Sequence, residues 1–295
     1  MEQQTKKLSF ICVGVQKAGT TSLHEILRQH PDINLPEFKE THFFSDDQNF
    51  IKGLDHYFNY YFSKNRNNLT YGEIDPEYIF FEKSLERIAK ASGDAKIIVI
   101  LRNPVERAYS HYNMTQRRGY EDLGFIKALE NEPKRQNDHF EKTHFSYVSR
   151  GLYYKQLSKL FSVFQRDKVK IVMYDDYKSS PKKVICEICN FVNIEPIDFN
   201  FDITKNKAST AKSNIVRDFI YKDNLIKKLG GKFFKSDKLK LRIMQGIERL
   251  NLKEGKIEKL TFQDKKNICK NFFLEDIIKT EKLLKTDLSI WKYDL

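Results

Sequence analysis

Blocks of consecutive apolar residues alternate along this chain with polar segments that carry apolar positions at helical spacing. Phe10 to Val13 is one such block, and Ile97-Ile98-Val99-Ile100-Leu101 is another. Runs of this kind suit parallel strands buried on both faces. Thr70 to Ile74 and Val169 to Met173 read as further strands, and Asp32 to Pro36 as a brief extended segment. Between them, Thr20 to Gln29 places Leu23, Ile26 and Leu27 on one helix face and stops before Pro31. Phe50 to Phe62, Phe80 to Ser92, Tyr153 to Phe164 and Pro181 to Val192 also read as helices, with Gly93-Asp94 as a turn. Asn103-Pro104-Val105-Glu106 is a helix start: Asn as N-cap, Pro at the first position, Glu three residues after the cap. That helix is expected to run to about Arg118, followed by a polar section from Glu130 to Thr143. Strand and helix alternate, so the fold class is α/β, with a central, mainly parallel β-sheet flanked by helices.

Composition narrows the picture. Over 295 residues, 40% are hydrophobic, with 23 Phe and 15 Tyr, enough for a large core. No apolar run approaches the ~20 residues that span a bilayer, and Met1 to Leu8 lacks the apolar stretch of a signal peptide. These features lead us to expect a cytoplasmic protein that starts at Met1. Four cysteines are too few for a disulfide framework. Cys186 and Cys189 fall inside a helical pattern and read as packing thiols rather than a metal or redox pair. The net charge is +12, and the segment from Lys205 to Lys265 alone holds 17 Lys/Arg against 7 Asp/Glu, a balance of +10. Most of these lysines read as a solvated surface, and the rest as a field that draws in an anionic cofactor or acceptor. No zinc-finger, basic-zipper or RNA-recognition pattern argues for nucleic acid.

The first strand leads into Gly14-Val15-Gln16-Lys17-Ala18-Gly19-Thr20-Thr21-Ser22. A strand, a glycine-bracketed loop and a helix N-terminus form a phosphate cradle, because free N–H groups and the helix dipole converge on an anion. Gly14 and Gly19 keep the spacing of a Walker loop, but Thr20-Thr21 stand where a nucleoside triphosphatase carries Lys-Ser/Thr. The lysine lies within the loop, at Lys17. The strand Ile97 to Leu101 ends in Arg102 rather than in a magnesium-holding carboxylate. Guanidinium binds phosphate in a bidentate manner. A ligand with several phosphates and a reaction that requires no metal fit this set, and a phosphotransferase does not.

Here the chain resembles a family. Val13 to Leu23, followed by His30-Pro31, looks like the 5′-phosphosulfate loop of sulfotransferases that use 3′-phosphoadenosine 5′-phosphosulfate (PAPS). Leu101-Arg102-Asn103-Pro104-Val105-Glu106-Arg107-Ala108-Tyr109-Ser110-His111-Tyr112 is similar to their 3′-phosphate motif. The likeness is to the carbohydrate branch, with the heparan sulfate sulfotransferases and bacterial relatives. It extends to Gly151-Leu152-Tyr153, Tyr174-Asp175-Asp176-Tyr177 and the closing Asp287 to Trp291, leaving out only Lys212 to about Leu260. It implies one P-loop-like, three-layer sulfotransferase domain over residues 1–295, with about 205–265 as a basic, family-variable segment. It also implies that Lys17, Ala18, Gly19, Thr20, Thr21 and Ser22 hold the phosphosulfate, that Arg102 and Ser110 bind the 3′-phosphate, and that a basic loop containing Lys207 covers it. The family's usual K-G-R pattern is absent from that loop.

An acceptor hydroxyl needs a general base. Pro36-Glu37-Phe38-Lys39-Glu40-Thr41-His42-Phe43-Phe44 resembles the K-E-x-x-F-F segment of the heparan-type enzymes. The resemblance makes Glu40 the base, with Lys39 assisting at the sulfuryl group. His42 competes for the role, since aryl and steroid sulfotransferases use a histidine. Gly72-Glu73-Ile74-Asp75-Pro76-Glu77-Tyr78 matches the stretch near the acceptor, with Asp75 where Ser or Thr is usual. The expected function is transfer of sulfuryl from PAPS to a hydroxyl of a glycan or glycolipid acceptor, including anionic ones, with release of adenosine 3′,5′-bisphosphate. Peripheral contact with a membrane is compatible with this. The alternatives are a small phenol, lipid or peptide tyrosine as acceptor, or a nucleotide- or glycan-binding relative without turnover.

Overall fold

A computed structural model of the protein describes residues 6–62, 69–202, 209–221, 244, 246–247, 250–255 and 258–295. Lys207 lies outside the described residues. The chain divides into two compact units: one of Met1–Arg107, Val148–Lys205 and Lys266–Leu295, the other of Ala108–Tyr147 and Asn206–Lys265.

In the first unit, β1 (Phe10–Gly14) leads into α1 (Thr20–Leu27), β2 (Ile33–Asn34), α2 (Asp47–Phe50), α3 (Gly53–Tyr61), β3 (Thr70–Ile74), α4 (Glu82–Ser92) and β4 (Lys96–Leu101). The helix α5 (Pro104–Arg117) passes into the second unit, which continues with α6 (Phe125–Asn131) and α7 (His139–Phe145). The first unit resumes with α8 (Tyr153–Val163), β5 (Val169–Met173), α9 (Tyr174–Ser179) and α10 (Pro181–Phe191). The second unit adds an antiparallel pair, β6 (Ser209–Ala211) with β7 (Leu252–Glu254), and α11 (Asn214–Tyr221). The chain closes on α12 (Phe262–Ile268) and α13 (Leu274–Leu284).

Five strands form one sheet in the order β2-β3-β1-β4-β5, and every pairing is parallel. Ile97 to Leu101 are all fully buried, as five apolar residues on a central strand between β1 and β5 must be. At the exit of this strand the Asn103 carboxamide accepts the Val105 N–H at 3.0 Å and the Glu106 N–H at 3.4 Å, which is the expected cap. Trp291 is buried, with its ring 6.1 Å from that of Tyr153 at the start of α8. The α8 N-terminus is capped from another helix: Asp276 of α13 accepts the Tyr153 N–H at 2.6 Å. Cys186 and Cys189 are unpaired thiols on α10.

Two differences from the sequence reading have local causes. A short helix, α2, comes first and ends at Phe50, and the helix expected from Phe50 to Phe62 begins only at Gly53, as α3. Asp46 caps the first by accepting the Asn49 N–H at 2.8 Å, and Gly53, with φ +83°, turns the chain before the second. The polar section after Glu130 contains α7, which buries only Phe145 and therefore shows no apolar stripe. Within the second unit Glu121 is a buried hub, accepting from Tyr147 Oη at 2.8 Å, Arg135 Nη1 at 2.9 Å and the Leu123 amide at 3.0 Å.

Candidate active site

Open parallel sheets bind ligands outside the carboxyl ends of their strands. The loop after β1 has the shape its glycines predict. Gly19 takes φ +84°, and a Cβ there would meet Tyr174 at 3.1 Å and Tyr177 at 3.2 Å. As N-cap of α1 it supplies no side-chain bond, so the first-turn amides of Thr20, Thr21 and Ser22 have no side-chain cap. An anion of phosphate size matches such a turn. Gly14 is a close-approach position: a Cβ would lie 2.5 Å from Ile79 Cγ2. That contact comes from the segment after β3, which bonds to the end of β1 through Asp75 N–H to Cys12 O at 3.0 Å and Ile79 N–H to Val13 O at 2.9 Å.

Arg102, at the end of β4, braces the loop from the other side. Its Nη1 donates to the Lys17 carbonyl at 2.9 Å, its guanidinium lies 4.7 Å from the centre of the Tyr174 ring, and Nη2 is 3.8 Å from Glu106. Tyr153 Oη donates to the Arg102 carbonyl at 2.7 Å. Lys17 itself is left-handed, with φ 72°. Ser110 is on α5, in the part that belongs to the second unit, and is half-buried.

The segment after β2 carries the candidate base. Lys39 and Glu40 form an ion pair. Burial pushes the Glu40 carboxyl up, but the charges of Lys39 and His42 and the Lys39 hydrogen bond hold it below the usual carboxylate range. The Lys39 charge also lowers the Cys12 thiol of β1 and the His24 imidazole of α1, although burial, the largest cause at both, pushes the thiol up and the imidazole down. Glu40 (φ 66°) and His42 (φ 53°) are both left-handed. That conformation costs an L residue about 1–2 kcal/mol.

His42 is held by an acidic clamp. Its backbone N–H donates to Asp75 Oδ2 at 2.8 Å, and its Nδ1 lies 3.3 Å from Asp75 Oδ2 and 3.2 Å from Glu77 Oε2. Burial alone would lower the imidazole, but the two carboxylates outweigh it and raise the group well above its ordinary value. Glu77 also accepts from Arg150 Nη2 at 3.1 Å, and that guanidinium stacks 4.4 Å from the Phe80 ring. These His42, Asp75 and Glu77 ligand atoms lie within 4.8 Å of one another. Two carboxylates face an imidazolium and a guanidinium, so the charges of the cluster pair within it.

Within the first unit the structure joins Arg102 to the loop 17–22 and sets Lys39 beside Glu40 and His42 beside Asp75 and Glu77. Sequence reasoning missed the Asp75–Glu77–Arg150 clamp. The available signal was Asp75 itself, an acid where a hydroxyl residue is usual.

Comparison with known proteins agrees with this geometry. The sulfotransferase domain model matches residues 8–240. Heparan sulfate glucosamine 3-O-sulfotransferase 5 of Mus musculus is 30% identical over 189 residues, covering 63% of this chain and 53% of that protein. Bifunctional heparan sulfate N-deacetylase/N-sulfotransferase 4 of the same species is 29% identical over 200 residues, covering 63% of this chain and 22% of its own length. The chain therefore spans about half or less of these curated relatives. A sulfotransferase from Alicyclobacillus acidocaldarius superposes with a TM-score of 0.68 at 26% identity, covering 97% of this chain and 99% of its own. With a parallel sheet, a displaced-lysine cradle and a match over residues 8–240, the chain belongs to the sulfotransferase family.

Proposed function

We propose that this protein transfers a sulfuryl group from PAPS to a hydroxyl of a carbohydrate or glycolipid acceptor, with Glu40 as general base. The observation that carries this reading is the charge state of the segment beside the cradle. Glu40 is paired with Lys39 and stays ionised, whereas His42, clamped by Asp75 and Glu77, already carries its proton. A base must be able to accept a proton, and only the carboxylate can.

The residues fit a bisphosphorylated donor. First-turn amides and Lys17 would hold the phosphosulfate, and Arg102 and Ser110 the 3′-phosphate. In the transfer, the acceptor oxygen forms a bond to sulfur while the bond from sulfur to the bridging oxygen breaks, and the acceptor proton passes to Glu40. Charge grows on the departing phosphate oxygen, where Lys17 and the α1 amides can neutralise it. Lys39, the partner of Glu40, would act at the sulfuryl group once Glu40 takes the proton. The family match runs through residues of both units, so we read residues 1–295 as one sulfotransferase domain, with 205–265 its variable part. A glycan acceptor is supported by the heparan sulfate relatives. Among the described residues, no helix is long and apolar enough to cross a membrane.

The test is transfer of radiolabelled sulfate from PAPS to a panel of heparosan-derived oligosaccharides, glycolipids, p-nitrophenol and a tyrosine peptide. Labelling of the oligosaccharides or glycolipids is expected. Glu40→Ala should lower transfer about 10²–10⁴-fold and leave affinity for adenosine 3′,5′-bisphosphate nearly unchanged. Normal turnover by Glu40→Ala would show that the base lies elsewhere.

A further inference from the structure

The base segment is left-handed on both sides of Thr41, at Glu40 and at His42, and such a backbone must be held from outside. His42 is held by Asp75. Thr41 is held by a group that the transfer chemistry does not use. Glu73, fully buried at the end of β3, accepts a hydrogen bond from Thr41 Oγ1, a second from Tyr57 Oη at 2.5 Å and a third from Tyr78 Oη at 2.9 Å. Thr41 Oγ1 also accepts the Phe43 N–H at 3.1 Å and lies 3.1 Å from Tyr78 Oη. An ionised carboxylate accepts and cannot donate, and three hydroxyl donors converging on it match that form.

We propose that Glu73 is the positioning residue of the base segment: by fixing Thr41 between two left-handed neighbours, it fixes the direction in which Glu40 presents its carboxylate. The inference rests on Glu40 being the base. It has a consequence for pH. Thr41 and Tyr78 share Oε1 and Tyr57 meets Oε2, so a proton on Oε1 competes with the first two donors and weakens the hold on Thr41. Burial and the charge of Asp75 push Glu73 up to about 7, against the three hydroxyl bonds. The titratable groups that face it are Tyr57 and Tyr61 of α3, Tyr78 and Asp75. Glu40, held low by Lys39 and His42, remains ionised through the range in which Glu73 gains its proton.

The experiment follows carboxyl carbons by ¹³C NMR between pH 5 and 9. It uses the full chain labelled at the glutamate δ carbon and saturated with adenosine 3′,5′-bisphosphate. Glu40→Gln and Glu73→Gln assign the two signals by their loss. The expected result is a Glu73 titration near neutral pH and a Glu40 signal that shifts at the same midpoint. Tyr57→Phe removes a donor to the anion and should move both midpoints upward together. Thr41→Val should abolish the response of Glu40 while Glu73 still titrates, which through-space electrostatics alone would not do. A Glu40 signal blind to the Glu73 titration, or one that still responds in Thr41→Val, overturns the proposal. Wild-type turnover in Glu40→Gln would instead remove the base reading and leave the coupling as measured, so the two failures are distinguishable.

Discussion

Glu73→Gln should change how stability depends on pH, and the size follows from the burial of one carboxyl. The group moves from 4.5 to about 7 on folding, and burial is the largest cause. Each pH unit of such a shift is worth about 1.4 kcal/mol, so the two states differ by about 3 kcal/mol in total. Between these limits the folded chain holds a proton that the unfolded chain has released, so unfolding free energy falls as pH rises. The contribution is fully present below 4.5, where both states are protonated, and is lost as pH climbs through about 7. Gln keeps the shape and does not titrate. Groups remote from Glu73 behave alike in both proteins and cancel in the difference. Urea unfolding at pH 5, 6, 7 and 8 should therefore show the wild type losing most of that difference, between about 2 and 3 kcal/mol, relative to the variant, with the denaturant slope unchanged. A difference that stays flat would refute the reasoning. A difference that rises with pH would show that the three hydroxyl bonds outweigh burial.

Arg102→Ala removes the bond to the Lys17 carbonyl and the stack on Tyr174. Affinity for adenosine 3′,5′-bisphosphate should fall at least about tenfold, the scale of a charge-assisted hydrogen bond, while affinity for AMP changes less; equal losses in calorimetric titrations would sink the 3′-phosphate assignment. Arg102→Lys should fail to restore binding, because a point charge reproduces neither the fork nor the stack. Gly19→Ala puts a Cβ at φ +84° against two tyrosine rings and should cost about 1–2 kcal/mol of stability in a denaturant titration. His42 should carry protons on both ring nitrogens at pH 7.5 by ¹⁵N NMR, because Asp75 and Glu77 raise it well above its ordinary value. A single protonated nitrogen would return it to contention as the base.

What the sequence disclosed, and what it hid, divides along a physical line. β1 and β4 were legible because strands inside a parallel sheet must be apolar over their whole length, and α5 because its cap is written in adjacent residues. The cradle was legible for the same reason: Gly14, Lys17 and Gly19 act through local backbone geometry. The Lys39–Glu40 pair is also local. The clamp on His42 was not, since residues 42, 75, 77 and 150 meet only when separate strands and loops converge. Glu73 was hidden twice over. It sits in a strand where an acid reads as a departure from the pattern, and its partners Thr41, Tyr57 and Tyr78 read as ordinary loop and aromatic positions. Buried acids in apolar strands need partners, so Glu73 could have been singled out as a residue awaiting donors, though not which donors.

The order of the sheet explains how the first unit carries both the base segment and the cradle of the proposed reaction. Read across β2-β3-β1-β4-β5, the strand ends carry, in turn, the base segment, its acidic support, the cradle, the guanidinium that braces the cradle, and the tyrosine beneath that guanidinium. Because all five strands are parallel, these groups leave the sheet from the same edge. The cradle stands in the middle, with the base segment on the β3 side and Arg102 on the β4 side. Cys12 and Val13, the last residues before the loop, accept backbone bonds from the β3 exit, and Val15 donates to Ile100 of β4 at 3.0 Å. Two backbone bonds thus tie the end of β1 to the β3 side, and Val15 N–H and Arg102 Nη1 tie the loop to the β4 side. A substitution on the β3 side, such as Asp75→Ser, is accordingly expected to alter acceptor turnover first and nucleotide affinity second, whereas one at Arg102 should do the reverse.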